Sequence, residues 1–150
     1  MNEQFLWGVA CSGYQCEGGY NGSDQPQNNW SEIEARGRVM RTGLATDFWN
    51  RYEEDFARCR AMGLNAFRLS IEWARVQPST SLQPSDPPAF DMAALDGYAK
   101  MMASCRRHGL EPIVTLQHFT HPAWVGVDAW LDDRMPGLFE TFVSTALARI

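Results

Sequence analysis

Apolar residues along the chain follow two alternating patterns, short continuous runs and longer stretches with helical spacing. The short runs, whose length and flanking Gly and Pro residues favour buried strands, are residues 5–10, 64–71 and 112–116. The longer stretches, in which apolar residues recur every three or four positions as in an amphipathic helix, are residues 48–62, 95–105 and 138–150. The pattern predicts three strand-helix units in chain order.

Residues that start and stop helices stand at the ends of these stretches. Thr46 or Asp47 can cap the first helix, and Gly63 can end it in a left-handed conformation. Asp91 is a suitable N-cap for the second, which Gly109 ends. The third has no stop signal and is predicted to continue to the last residue of the chain.

Strands that alternate with amphipathic helices indicate a parallel sheet with helical crossovers. The long loops follow strands rather than helices, and this asymmetry suits a barrel whose functional site lies at the carboxyl ends of the strands. A complete eight-stranded barrel needs roughly 250 residues, whereas this chain has 150.

Composition narrows the class of protein. Apolar residues make up 45% of the chain and charged residues 21%, as in an ordinary globular protein. A net charge of −5 argues against nucleic acid as a partner. No run approaches the roughly 20 apolar residues of a membrane span, and the first residues lack the plan of a signal peptide, so we expect no membrane partner and a cytoplasmic location. The cysteines show no C-x-x-C spacing and are predicted to be reduced.

Residues 5–19 resemble the amino-terminal signature of glycoside hydrolase family 1, the β-glucosidase family. The matching positions are Phe5, Trp7, Gly8, Ala10, Ser12, Gly13, Tyr14, Gln15, Glu17 and Gly19. Residues 68–75 resemble the family's Arg-x-Ser-x-x-Trp-x-Arg strand, and residues 109–119 resemble its third strand. The resemblance implies an α/β fold, the amino-terminal part (about three βα units) of a (β/α)8 TIM barrel, with residues 1–150 as one partial glycosidase domain that is incomplete at its carboxyl end.

Arg68 is the first candidate site residue. Strand alternation places it on the face opposite Phe67 and Leu69, and a guanidinium inside a barrel needs a carboxylate partner. The first three strands do not clearly supply one. The resemblance implies that Arg68 supports a nucleophilic glutamate on the seventh strand, and the alternative is an arginine at a strand end paired with a surface Asp or Glu.

Four residues are candidate sugar-binding residues. Gln15 offers both a donor and an acceptor to adjacent hydroxyls, and the resemblance assigns it and His118 to the sugar. Phe119 and Trp124 offer aromatic faces, although a buried aromatic residue is more often a core anchor. Glu17 and Trp73 belong to the family's motifs and are predicted to support the site rather than to act on the bond. Loop glutamines and histidines bonded to backbone are the simpler alternative.

Retaining glycosidases need two carboxyls about 5 to 5.5 Å apart. The resemblance implies an acid/base in a Thr-Phe/Leu-Asn-Glu-Pro segment and a nucleophile in a Glu-Asn-Gly segment, and neither occurs in this sequence. Glu17 with Glu72 is a far weaker candidate pair. The spacing of His118, His121 and Asp128 does not indicate a metal site, and no cofactor is expected.

The sequence therefore predicts part of a retaining β-glycosidase that acts on a β-glycoside or oligosaccharide. Because both carboxylate motifs are absent, the chain alone is expected to be inactive. The missing carboxyl-terminal part of the barrel is a possible partner. The alternatives are a non-catalytic remnant that binds a sugar or a protein, and a truncated product without function.

Overall fold

The computed structural model describes residues 5–81 and 84–150. Within them, three parallel strands form one sheet in the order β1-β2-β3. The strands are β1 (Gly8–Ala10), β2 (Ala66–Ser70) and β3 (Glu111–Thr115). Strands that are consecutive in the chain are therefore neighbours in the sheet, as in a (β/α)8 barrel. The predicted fold class, three βα units of such a barrel, is confirmed.

The helices include three long ones that the sequence predicted and three short ones that it did not. In chain order they are α1 (Gly13–Cys16), α2 (Asn29–Ala35), α3 (Phe48–Ala61), α4 (Trp73–Val76), α5 (Met92–Arg107) and α6 (Met135–Leu147). Two single 3-10 turns, Ala123–Val125 and Ala129–Leu131, lie between β3 and α6. The unpredicted helices all occur in the segments between β1 and α3 and between β2 and α5.

The helix ends follow local rules with two differences. Asp91 caps α5 by accepting the N–H groups of Ala93 and Ala94 at 2.9 and 3.0 Å. Asp47 is the residue before α3, but its own backbone is left-handed (φ 54°) and its side chain caps no helical N–H. The expectation that the last helix continues to the chain end is wrong, because α6 ends at Leu147. The strands are also shorter than predicted, with β1 starting at Gly8 instead of Phe5.

The main core lies between one face of the sheet and helices α3 and α5. Phe67 of β2 stacks on Phe48 of α3 at 5.6 Å and meets Phe56 edge-on at 5.0 Å. Leu95 and Tyr98 of α5 are fully buried in the same cluster. Burial of these large side chains stabilises each helix against the sheet.

The opposite face of the sheet is open. Ala10, Arg68 and Ile113 occupy matching positions on the three strands, and Ile113 is 42% exposed there. The total accessible surface is 8743 Å², whereas a folded monomer of this mass is expected to expose about 7,700 Å². A closed barrel would bury this open face of the sheet in its interior.

Candidate functional site

The carboxyl ends of the three strands bring three loops to one edge of the sheet. The Cys11 N–H donates to the carbonyl of Arg68 at 2.9 Å, and the Gly13 N–H donates to Ser70 Oγ at 2.7 Å. The Ile71 N–H donates to the carbonyl of Thr115 at 3.0 Å. These bonds fix the starts of all three loops, and sites of barrel enzymes form on that edge.

Gln15 and His118 lie on the loops after β1 and β3. Gln15 is an exposed residue of α1, and its Oε1 accepts a hydrogen bond from Ser12 Oγ at 2.8 Å. That bond fixes the rotamer of the amide and directs its Nε2 group away from Ser12. His118 is half-buried, and its ring lies 5.3 Å from that of Phe119. Both residues lie on loops at this edge, and their role in sugar binding stays a prediction.

An aromatic group joins the loops after β1 and β3. The ring of Phe119 meets that of Trp30 at 5.4 Å and that of Tyr14 at 6.5 Å, both edge-on. Trp30 and Phe119 are 37% and 38% exposed. Sequence reasoning missed Trp30. The sequence did contain one signal for it. Asn28, two positions earlier, is a good N-cap residue, and the short helix that it starts turns the ring of Trp30 towards Phe119.

Trp124 and Trp73 lie beneath this edge. Trp124 is 8% exposed, and its Nε1 donates to the carbonyl of Gln77 at 2.9 Å. Its ring meets that of Trp73 edge-on at 6.2 Å, and Trp73 stacks on Phe142 at 4.9 Å. Both indoles are thus packing residues under the loops. The predicted contact of Trp124 with sugar and the supporting role of Trp73 stay predictions.

Arg68 is half-buried on the open face of the sheet. Its Nε atom is buried without a hydrogen-bond partner. Among residues 5–81 and 84–150, no Asp or Glu side chain lies within 4.0 Å of its guanidinium. A buried guanidinium nitrogen without a partner is costly, so this position is suited to accept a carboxylate or a polar ligand.

Glu17 is the centre of a buried polar cluster. Its carboxylate accepts hydrogen bonds from Tyr98 at 2.6 Å, from Arg75 Nε at 2.8 Å and from the hydroxyl of Tyr20. The guanidinium of Arg75 also lies 4.1 Å from the centre of the Trp49 ring, a favourable cation-π geometry. Since Glu17 is only 2% exposed, it ties α1, α4 and α5 together and does not face a substrate. The predicted role of Glu17 in supporting the sugar site stays a prediction.

Glu72 is the second buried carboxyl at this edge, also 2% exposed. It accepts hydrogen bonds from Thr120 Oγ1 at 2.7 Å and from Asn28 Nδ2 at 3.3 Å. Burial raises the pKa of this carboxyl to about 7, with the charge of Glu17 contributing in the same direction. Because both carboxyls are enclosed and bonded to protein groups, Glu17 and Glu72 are poorly placed to serve as a catalytic pair.

The sequence profile named glycosyl hydrolase family 1 matches residues 1–150. The chain belongs to this family. Among its relatives are the phospho-cellobiase of Klebsiella oxytoca, which is 33% identical over 98% of this chain and 33% of its own length, and the 6-phospho-beta-galactosidase of Lacticaseibacillus rhamnosus, 33% identical over 97% of this chain and 29% of its own. The structure of a beta-glycosidase from Pyrococcus horikoshii superposes with a TM-score of 0.80 at 30% identity, over 97% of this chain and 32% of that one.

The family resemblance drawn from the sequence is thereby confirmed. The family 1 chain spans about a third of the length of the curated relatives that it matches. Within the residues that the structure describes, no helix has the length and hydrophobicity to cross a membrane.

Proposed function

We propose that this family 1 chain forms part of the sugar site of a retaining β-glycosidase that hydrolyses O-glycosyl bonds. The proposal is supported above all by one observation: Gln15 and His118 lie on the loops that follow β1 and β3, and Arg68 lies in the strand between them, on the open face of the sheet. Barrel enzymes place their catalytic and binding groups at the carboxyl edge of the sheet. Because the chain belongs to a family of glycosyl hydrolases, a sugar is the ligand that we propose for this edge.

Each candidate site residue of this chain has a distinct part in the proposed reaction. The Gln15 amide and the His118 imidazole bind sugar hydroxyls as donors and acceptors, and the exposed ring of Phe119 packs against the sugar. The Arg68 guanidinium keeps a neighbouring carboxylate ionised, so that it can attack the anomeric carbon. The two catalytic carboxyls belong to other strands of the barrel, because this sequence lacks both of their motifs.

The substrate class is a β-glucoside or a related β-glycoside. The relatives from Klebsiella oxytoca and Lacticaseibacillus rhamnosus are named for phosphorylated substrates, so the 6-phosphate forms belong in any assay. A cytoplasmic location stays part of this proposal.

The test uses a hybrid barrel, defined as residues 1–150 joined to the carboxyl-terminal two thirds of the Klebsiella oxytoca phospho-cellobiase. We expect it to hydrolyse 4-nitrophenyl β-glucoside or its 6-phosphate and to release the β-anomer first, as double displacement requires. A well-folded hybrid barrel without turnover on either substrate contradicts the proposal.

A non-catalytic sugar-binding remnant is the second candidate. It is favoured by the exposed rings of Trp30 and Phe119, which offer a sugar an apolar surface without any catalytic group. The 150-residue chain is expected to give no turnover of a chromogenic β-glucoside, because proton transfer and nucleophile are both lost. Calorimetric binding of cellobiose to a well-folded but inactive hybrid barrel would favour the remnant. Turnover that disappears in Glu17→Gln or Glu72→Gln would instead place the catalytic pair within these residues.

A further inference from the structure

Glu72 connects two loops through the two oxygens of one carboxylate. It follows β2 directly and is enclosed by protein. Its Oε2 accepts the hydroxyl proton of Thr120, on the loop after β3, at 2.7 Å. Its Oε1 accepts from Asn28, on the loop after β1, at 3.3 Å. Glu72 cannot touch a sugar itself, but it is bonded to both loops that can.

The two partners of Glu72 each stand beside one ring of an exposed aromatic pair. Asn28 caps α2, and its Oδ1 accepts the N–H of Trp30 at 3.0 Å. Thr120 follows Phe119 in the chain, and its N–H donates to the carbonyl of His118 at 2.7 Å. The rings of Trp30 and Phe119 are 5.4 Å apart with their planes at 75°. Glu72 therefore holds the backbone beneath both rings.

The backbone of Phe119 needs such support. Its φ of 54° lies in the left-handed region, which aromatic residues rarely adopt and which costs of order 1–3 kcal/mol unless neighbouring contacts compensate. Two backbone bonds already keep the loops adjacent, from Asn29 N–H to the His121 carbonyl at 3.0 Å and from Ala123 N–H to the Gln27 carbonyl at 2.9 Å. Glu72 is thus not needed to bring the loops together, only to set how their rings meet.

We propose that Glu72 is a positioning residue that fixes Trp30 against Phe119, and that these two rings form an aromatic wall for the pyranose ring of the substrate. The inference rests on the proposed β-glycosidase function. It adds Trp30 to the residues that contact the substrate. It also gives the buried carboxyl of Glu72 a structural role, which is to orient the two rings, and this role is separate from the hydrolytic reaction.

The bridge depends on the charge of Glu72. An ionised carboxylate accepts at both oxygens, whereas a protonated carboxyl turns one of them into a donor. Among the described residues, the charged and titratable groups that act on Glu72 or on its neighbour Glu17 include Tyr14, Tyr20, Tyr98 and Arg75. Burial raises the pKa of Tyr20 and Tyr98 well above the ordinary value, so both stay neutral, and Arg75 stays charged. Since burial raises the pKa of Glu72 to about 7, the complete bridge forms as the pH rises through neutrality.

Hydrogen exchange of the hybrid barrel, measured by mass spectrometry, tests the bridge directly and does not depend on its activity. The hydrogen bonds from Thr120 and Asn28 favour the ionised form of Glu72 and oppose the effect of burial on its pKa, so a local opening that breaks them while Glu72 stays buried is harder at pH 8 than at pH 6. After correction for intrinsic exchange rates, amides in the peptides that contain Trp30 and Thr120 should therefore be several-fold better protected at pH 8, although the free energy of global unfolding falls over the same range. Glu72→Gln should abolish this pH step and Thr120→Val should weaken the protection, whereas Thr120→Ser should retain both. Exposed Glu140→Gln is the matched control and should behave as the unmodified hybrid barrel.

Imidazole groups also flank Thr120, and burial lowers the pKa of one of them, His121. His118→Asn and His121→Asn should therefore keep the pH step. A step that survives Glu72→Gln, or one that disappears with either histidine variant, overturns the proposal.

Kinetics of the hybrid barrel test what the bridge does for the substrate. Trp30→Ala and Glu72→Gln should each raise KM with little change in kcat, and the double variant should be no worse than Trp30→Ala alone. That non-additivity distinguishes positioning from a general loss of stability. Fully additive effects overturn the proposal. An inactive unmodified hybrid barrel contradicts the proposed function instead, and the exchange experiment still decides whether Glu72 forms the bridge.

Discussion

The hydroxyl of Tyr98 donates to Glu17 Oε1 at 2.6 Å and accepts the backbone N–H of Glu72 at 3.0 Å. One side chain of α5 thus satisfies a buried carboxylate from the loop after β1 and a buried amide from the end of β2. Every partner is enclosed, so no water can replace the hydroxyl. The loop after β1, which carries Gln15, and the end of β2 are therefore anchored to a helix on the outer side of the sheet.

Replacing Tyr98 by Phe should destabilise the fold by about 1–3 kcal/mol, because it leaves the Glu72 N–H unsatisfied and removes one donor from Glu17. Urea unfolding of the hybrid barrel measures the loss. Tyr52→Phe is the matched control, since the Tyr52 hydroxyl makes no hydrogen bond among the described residues. Equal midpoints for the two variants would show that the Tyr98 hydroxyl contributes nothing.

Glu72 should impose a pH dependence on stability. Its pKa is raised to about 7 in the folded state, so between the ordinary carboxyl pKa and about 7 the folded protein binds more protons than the unfolded one. The free energy of unfolding therefore falls by on the order of 3 kcal/mol as the pH rises through this window. Above the window it levels off.

In Glu72→Gln this decline should be absent, while exposed Glu140→Gln should leave it unchanged. Denaturant unfolding of the hybrid barrel at half-unit steps from pH 5 to pH 8.5 measures both. Parallel curves for Glu72→Gln and the unmodified protein would mean that another group titrates.

Gln15→Ala and His118→Ala should lower kcat/KM of the hybrid barrel more than they lower its melting temperature. Sugar hydroxyl contacts strengthen as the ring distorts towards the transition state, and neither side chain belongs to the buried core. Assays of kcat/KM alongside thermal melting separate the two effects. An unchanged kcat/KM in both variants would refute the sugar-binding assignment.

Local signals in the sequence were sufficient for the long elements of the fold. Asp91 and Gly109 bound α5 as predicted because a side-chain cap and a left-handed glycine act within a few residues. The four-residue helices α1 and α4 escaped prediction, since one turn is too short to show a 3.6-residue period. Asp47 precedes α3 as expected, but its left-handed backbone could not be inferred from the sequence.

The candidate site was predictable only where a motif carries it. Gln15 and His118 were found because the family resemblance contains them. The bonds from Tyr98 to Glu17 and from Thr120 to Glu72 join distant parts of the chain, and no local pattern encodes such pairs. The burial of Trp124 likewise depends on its packing against Trp73, a contact between two different loops.

The 150-residue chain on its own should self-associate or unfold without a sharp transition. Within the described residues, β1 and β3 are edge strands whose outer N–H and C=O groups have no partner strand, and such edges promote association. The open face adds Ile113 and the incompletely bonded guanidinium of Arg68, which a closed barrel would bury or pair. Ile113→Lys should reduce association by making that face less apolar, whereas Thr141→Lys, on the exposed side of α6, should not. Size-exclusion chromatography across a range of concentrations, together with a denaturant melt, measures both properties. A monomer that unfolds in one steep cooperative step would show that the three βα units are self-sufficient, and the open face would then need no further strands.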